Sequence, residues 1–385
     1  MSRREAVLFG AVALATLGGS AAAPAQSVLA GRGLGYPLEA LDARARAMGG
    51  LPGGSPGSVF SLSNPAASAG TPAPAASITF QQDWFDATGE GLEAEGSTAR
   101  FPLIAIAFPV VGRWSASIGY GSFLDQNWGA TVRDSIDLVS GRVEVFDRFV
   151  SEGGIARLRG GTAYRVNSRL SVGVAAELYT GAVRDTLQRF IGQLTPASFG
   201  TSHSFSGSAL SAGVRWSPLA ALGLTASVTG GGTLTGEAED SAADRREYNL
   251  PLIVDAAATA RIARQATLAA GIRWAGWADA DADLVARGGA RDALTVAAGV
   301  EYDGVSVLHA PIPLRLGARM NRLPFRWDED EFPEERAVTG GLGLVLGRGT
   351  AQIDLAAERG WRGGDAAGFD EPYWRGVLTF SIVGR

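Results

Sequence analysis

Four arginines stand at spacings that could gather them: Arg157 and Arg159 two positions apart, Arg315 and Arg319 four apart. In an extended chain an even spacing puts both members of a pair on one face. A guanidinium presents a rigid fork of donors that grips a carboxylate through two parallel hydrogen bonds. These side chains could therefore hold the acidic end of a ligand. They could equally pair with acids of the chain, since Glu177, Glu301, Asp354 and Glu358 fall on the corresponding face of their own segments. Both uses are open at this level.

Other chemistry has less support. The two histidines are His203 and His309, and His203 sits between Ser202 and Ser204. A serine hydrolase would have to build its triad from loops, so no enzymatic activity is expected. With no cysteine there is no thiolate set for zinc, haem or iron–sulfur ligation, and no cofactor or metal is expected. The acidic runs Asp279-Ala280-Asp281-Ala282-Asp283 and Asp328-Glu329-Asp330-Glu331 read as solvated outer loops, and the first lacks the glycine and final glutamate of a calcium loop. A net charge of -5 leaves no basic face for phosphates, which excludes a nucleic-acid partner.

The elements that would position these residues are strands. From residue 75 onward, apolar and polar residues alternate in segments near the roughly 9–11 residues that cross a bilayer as a tilted strand. About fourteen can be read, among them Ala75 to Phe85, Ile155 to Val166, Ala266 to Trp277, Ile312 to Asn321 and Tyr373 to Val383. Tight turns such as Gly112-Arg113, Asn167-Ser168, Ala263-Arg264-Gln265 and Gly347-Arg348-Gly349 alternate with long polar stretches such as 125–154 and 181–204. Short periplasmic turns and long extracellular loops are the habit of a transmembrane barrel. The connection from Gly304 to Pro311 is longer than that rule predicts.

The alternation also fixes which face is which. Leu158, Thr162, Tyr164 and Val166 oppose Arg157, Arg159 and Arg165; Ile312, Leu314, Leu316, Ala318 and Met320 oppose Arg315 and Arg319; Leu268, Ala270, Ile272 and Trp274 oppose Arg273. An arginine facing lipid at mid-bilayer costs about 2–4 kcal/mol, so the apolar sets must face outward. Trp84, Phe85, Trp114, Trp216, Trp274, Trp277, Trp361, Tyr373 and Trp374 lie near strand ends, as interface girdles do. The expected fold is all-β: an antiparallel transmembrane barrel of about fourteen strands.

The first residues read differently. Arg3 and Arg4, an apolar run from Ala6 to Leu17 and the small-residue site Ala23-Pro24-Ala25 make residues 1–25 a signal peptide for export. Residues 26–74 do not alternate, and residues 75–385 form the barrel. Within the former, Leu38 to Met48 suits a short helix stopped by Gly49-Gly50.

The run Ala43-Arg44-Ala45-Arg46-Ala47-Met48-Gly49-Gly50, a stretch of small residues and then Ser63-Asn64-Pro65-Ala66 resembles the opening of the FadL-type outer-membrane transporters of long-chain fatty acids and other hydrophobic compounds. The resemblance implies that residues 26–74 form a hatch inside a fourteen-stranded barrel, with Met48, Gly49, Gly50, Asn64, Pro65 and Ala66 as its motif. It implies passive uptake of hydrophobic small molecules such as fatty acids. In that setting Arg157, Arg159, Arg315 or Arg319 would hold the ligand carboxylate unless the lumenal acids claim them. Outer-membrane lipids and the barrel-assembly machinery are the further partners expected, although the last strand ends Phe380-Ser381-Ile382-Val383-Gly384-Arg385 and not on an aromatic residue. The alternatives are a structural or secretion-associated barrel with a protein partner, and a general porin.

Overall fold

A strand whose side chains alternate between lipid and an enclosed interior can satisfy its backbone in a bilayer only by pairing on both sides, which closes the sheet. The computed structural model describes residues 23–24, 26–54, 60–69, 71–89, 92–138, 141–191, 195–239, 241–287, 289–307, 310–327, 331–347, 349–364 and 367–384. Most of the expected signal peptide, His309, Arg348 and residues 328–330 of the second acidic run lie outside them. Among the described residues fourteen wall strands follow one another. They are β1 (Ala75–Gly89), β2 (Leu92–Val111), β3 (Trp114–Asp125), β4 (Gly141–Arg165), β5 (Leu170–Ile191), β6 (Ala197–Leu219) and β7 (Leu222–Ala238). The second half adds β8 (Ile253–Ala263), β9 (Ala266–Ala275), β10 (Ala293–Tyr302), β11 (Leu314–Arg322), β12 (Glu334–Leu346), β13 (Ala351–Gly364) and β14 (Phe369–Val383).

Each strand pairs antiparallel with the next, and β14 returns to β1 from Val383–Ala75 to Phe369–Gly89, closing the barrel. The apolar face is outside. Leu158, Leu178, Leu268, Ile272, Leu316 and Met320 are exposed on the wall's exterior, whereas Arg157, Arg159, Glu177, Glu301, Arg315, Arg319, Asp354 and Glu358 are buried within. The tight turns hold, with Gly112 and Gly347 in the left-handed region (φ 58° for both) that a two-strand reversal needs.

Several expectations need correction. The long outer stretches are largely strand: β5 runs to Ile191, β6 begins at Ala197, and Trp128–Leu138 and Ser241–Asn249 add paired strands to β4 and β7. Beyond the bilayer both faces are wet, so the ladder continues without an apolar alternation to mark it. Phe85, Trp277 and Tyr373 are not girdle residues; all three are buried inside. The acidic run at 279–283 keeps Asp279 and Asp283 exposed, as a solvated run would, but it folds into 3-10 turns (Trp277–Ala280 and Ala282–Arg287) that sink Ala280 and Leu284 into the barrel mouth. The long periplasmic connection holds a small hairpin pairing Ser306–Val307 with Ala310–Pro311. β11 starts at Leu314, so Ile312 precedes it.

The described residues of 26–74 lie against the inner wall. Their helix, α1 (Ala43–Ala47), is shorter than the expected span, because the Asp42 carboxylate accepts from Ala45 N at 2.6 Å and caps it there. Gly49 and Gly50 then take left-handed φ values of 87° and 71°. One upper seam of the wall is also unusual. β2 and β3 pair from their turn only as far as Leu103 and Gly121. Past that point Tyr36–Pro37 pairs with Leu124–Asp125 of β3, and Ala23–Pro24 runs parallel to Gly96–Ser97 of β2. The N-terminal segment thus stands where the two wall strands part.

Leu316, mid-strand between Val300 and Gly340, tests the orientation of the sheet. Leu316→Arg is expected to lower the unfolding free energy in lipid vesicles by about 2–4 kcal/mol, read by urea titration. A negligible change would mean that this face meets water.

Candidate functional site

Inward-facing charges of β10 to β14 meet residues of the N-terminal segment in two sets, one around Arg315 and one around Arg319. Arg315 donates to Glu301 and to Asp354, each at 2.6 Å, and Glu301 also accepts two hydrogen bonds from Arg44, at 2.8 and 2.5 Å. Arg319 donates to Glu335 at 2.5 Å and to both oxygens of Glu358 at 2.6 and 2.8 Å. Glu358 further accepts from the Tyr373 hydroxyl at 2.7 Å and from Arg375 at 3.0 Å. Arg375 reaches Asp83 of β1 across the closing seam. Arg362 joins Glu335, Glu371 and the Gln26 carbonyl, and the Tyr36 hydroxyl donates to Glu335.

The other two expected arginines lie across the lumen. Arg159 donates to the Ser61 carbonyl at 3.2 Å and to Ser211 at 3.1 Å, with Glu177 3.8 Å away. Arg157 donates to Glu177 at 3.4 Å, but its Nε is buried without a hydrogen-bond partner among the described residues. All four thus pair with lumenal acids, which favours the second of the two uses open from the sequence. The sequence reading did not single out Arg44, Arg362, Arg375, Glu335 or Glu371 as site residues. Arg362 is four positions from Glu358 on β13, and that parity places it on the same face; Arg375 stands directly opposite Glu358 on β14.

The segment's motif is pressed onto glycines of the wall. A Cβ on Gly299 would lie 2.7 Å from Met48 Cα, and one on Gly317 would collide with the Met48–Gly49 peptide. Gly49 N donates to Thr339 Oγ1, which in turn donates to the Ala47 carbonyl, both at 2.9 Å. Across the lumen, Asn64 donates to the carbonyls of Val214 and Ala226 and caps the turn Pro65–Ser68 by accepting from Ala66 N at 2.9 Å. Pro65 and Ala66 rest on Gly173.

Above this layer the lumen is apolar. Phe123, Tyr179, Phe205, Trp277 and Phe325 cluster with Leu34, Ile155, Leu234 and Leu284 at the extracellular end. Phe123 packs on Tyr179 at 4.7 Å and on Trp277 at 6.0 Å between ring centroids. A cavity of about 70 Å³ remains there, walled by Leu38, Phe123, Trp277 and Pro324 together with Arg157 and Arg273. Arg273 is held by Asp255 at 2.7 Å, Glu39 at 3.2 Å and Ser63 at 2.7 Å. His203, the other candidate, lies on the outer hairpin opposite Val183 and Ala238.

Arg319 should be costly to remove, because its loss strands two buried carboxylates. Arg319→Ala is expected to lower unfolding free energy by about 3–5 kcal/mol. Combining Arg319→Met with Glu335→Gln and Glu358→Gln should recover much of that loss. A single variant as stable as the parent in urea titration would show that the network carries no structural load.

Solved structures share this architecture. A FadL homologue from Pseudomonas aeruginosa superposes with a TM-score of 0.58 at 12% identity, covering 90% of this chain and 98% of the other. The monoaromatic hydrocarbon channel CymD gives 0.57 at 14%, covering 91% and 98%. The toluene transporter TodX of Pseudomonas putida gives 0.56 at 16%, covering 90% and 99%. At such identities the likeness is one of fold, and the fold is the one implied by the resemblance of the opening motif. No curated protein matches the chain in sequence. A closed barrel with an apolar exterior belongs in the bacterial outer membrane. The BamG family model matches residues 1–235, more than half of the sequence, and the chain belongs to the BamG family.

Proposed function

We propose that the chain passes hydrophobic small molecules across the outer membrane, with the apolar cluster at the extracellular end of the lumen as the entry site and residues 26–74 as the hatch beneath it. The observation that carries this reading is the chemistry of the mouth. Six aromatic rings turn inward there, Tyr248 joining the five named above, where a water-filled pore presents polar groups. Apolar walls with a few placed polar groups suit a greasy ligand. The remaining space is small, so entry displaces the stacked Phe123 and Trp277 rings. Fold likeness to channels named for toluene and monoaromatic hydrocarbons supports the same reading. Fatty acids are the second ligand class. For these, Arg157 is the residue we assign to the carboxylate, because its side chain lines the cavity beside Phe123 and Trp277 and its Nε has no hydrogen-bond partner among the described residues.

Radiolabelled toluene and hexadecanoate uptake by cells lacking a channel of their own tests this. Expression should raise uptake several-fold, and Trp277→Ala should change it for both. Arg157→Ala should reduce hexadecanoate uptake alone. Uptake no greater than in cells with an empty vector, for both compounds, would overturn the proposal. With the hatch in place, conductance across planar bilayers is expected to be low, unlike that of a general porin.

A protein partner is the second reading, and one observation favours it. The strand Trp128–Leu138, which prolongs β3 beyond the bilayer, pairs on one side only among the described residues. An open edge of that length accepts a further strand. A stoichiometric protein retained on mild solubilisation, in a chain that takes up neither probe, would move the function there.

A further inference from the structure

Below the hatch, at the periplasmic end, a cavity of about 340 Å³ opens between the N-terminal segment and the lower rungs of β6 to β10. Its ceiling is Arg44, Ser61 and Asn64; its walls include Arg215, Thr225 and Arg261. Volume puts it at the lower end of small-molecule sites. Its charge is unbalanced. Glu301 is taken by Arg44 and Arg315. The side chains of Arg215 and Arg261 make no ion pair or hydrogen bond among the described residues, and Asp303 is the one further acid in the lining.

Arg215 is the unusual member. It follows Gly213, on which Asn64 rests, along the lumenal face of β6, and it stands opposite Thr225 of β7. The Thr225 hydroxyl is itself buried without a partner among the described residues. A half-buried guanidinium and a buried hydroxyl on neighbouring strands, both unmet and both facing one cavity, are donors awaiting an acceptor. The arginines in the layer above, Arg315, Arg319, Arg362 and Arg375, all have carboxylate partners from the chain.

We propose that this cavity binds a small hydrophilic oxyanion, a carboxylate or a phosphate, gripped by Arg215, with Arg261 as second cation and Thr225 as neutral donor. The site lies on the far side of the segment from the apolar mouth and selects the opposite kind of molecule. It therefore stands or falls independently of hydrophobic uptake.

Calorimetric titration of the full chain in neutral detergent tests it, with citrate and inorganic phosphate as probes against chloride at constant ionic strength. Saturable binding of at least one anion is expected. Arg215→Gln should weaken it about tenfold or more, as loss of a hydrogen bond to a charged group does. Arg165→Gln, an exposed arginine on the same lumenal face outside the cavity lining, should bind as the parent does. Heat-dependent gel mobility verifies that each variant is folded. Failure of both anions to saturate the parent overturns the proposal, and so does a folded Arg215→Gln chain that binds with unchanged affinity.

Discussion

The carboxylate of Glu358 is the point on which the interior depends. It accepts from Arg319, Tyr373 and Arg375, side chains of three different positions on β11 and β14. A buried ion set is weak evidence of stability in itself, since apolar residues of equal volume could do as well. What it contributes is dependence: remove one partner, and charges are left in a site that water does not reach. Through Arg375 and Asp83 the same set bridges the strands that close the barrel, and through Arg46, 3.7 Å from Glu358, it holds the helix of the N-terminal segment.

From that anchor the lumen is layered. An apolar cap faces the exterior, charges and the N-terminal segment fill the middle, and a cavity rich in hydroxyls opens toward the periplasm. Wall glycines make the middle layer possible, because Gly173, Gly299 and Gly317 let backbone approach backbone. Larger residues there would push the segment inward and break the hydrogen bonds at Asn64 and Gly49.

Much of this was legible in period-two alternation. Leu316 and Arg315 fall on opposite sides because lipid tolerates only one of them, and so the face of every central strand could be read. Strand ends could not, because β4, β5 and β6 continue into water, where pairs such as Arg189 with Asp147 are polar on either side. The inward turn of Phe85 and Tyr373 carried a signal that aromatic character concealed: each shares parity with a buried charge, Asp83 and Arg375 respectively. Trp277 carried none, since it sits in a helical turn and period two does not apply. The four arginines were placed on the correct face, but only coordinates reveal which acid each one meets. Arg215 was overlooked for the converse reason, because an unpaired residue leaves no partner in the sequence to draw attention to it.

The N-terminal segment bonds to the last strands made. Ser27 and Glu371 are 344 positions apart, and Ala43 bonds to Thr379 across 336. Such distant partners impose an order of events. These contacts of the N-terminal segment can form only once the final hairpin is in place, and a barrel cut short at its carboxyl end would leave Ser27 and Ala43 without these partners. Closing the wall and fastening the start of that segment are therefore one event.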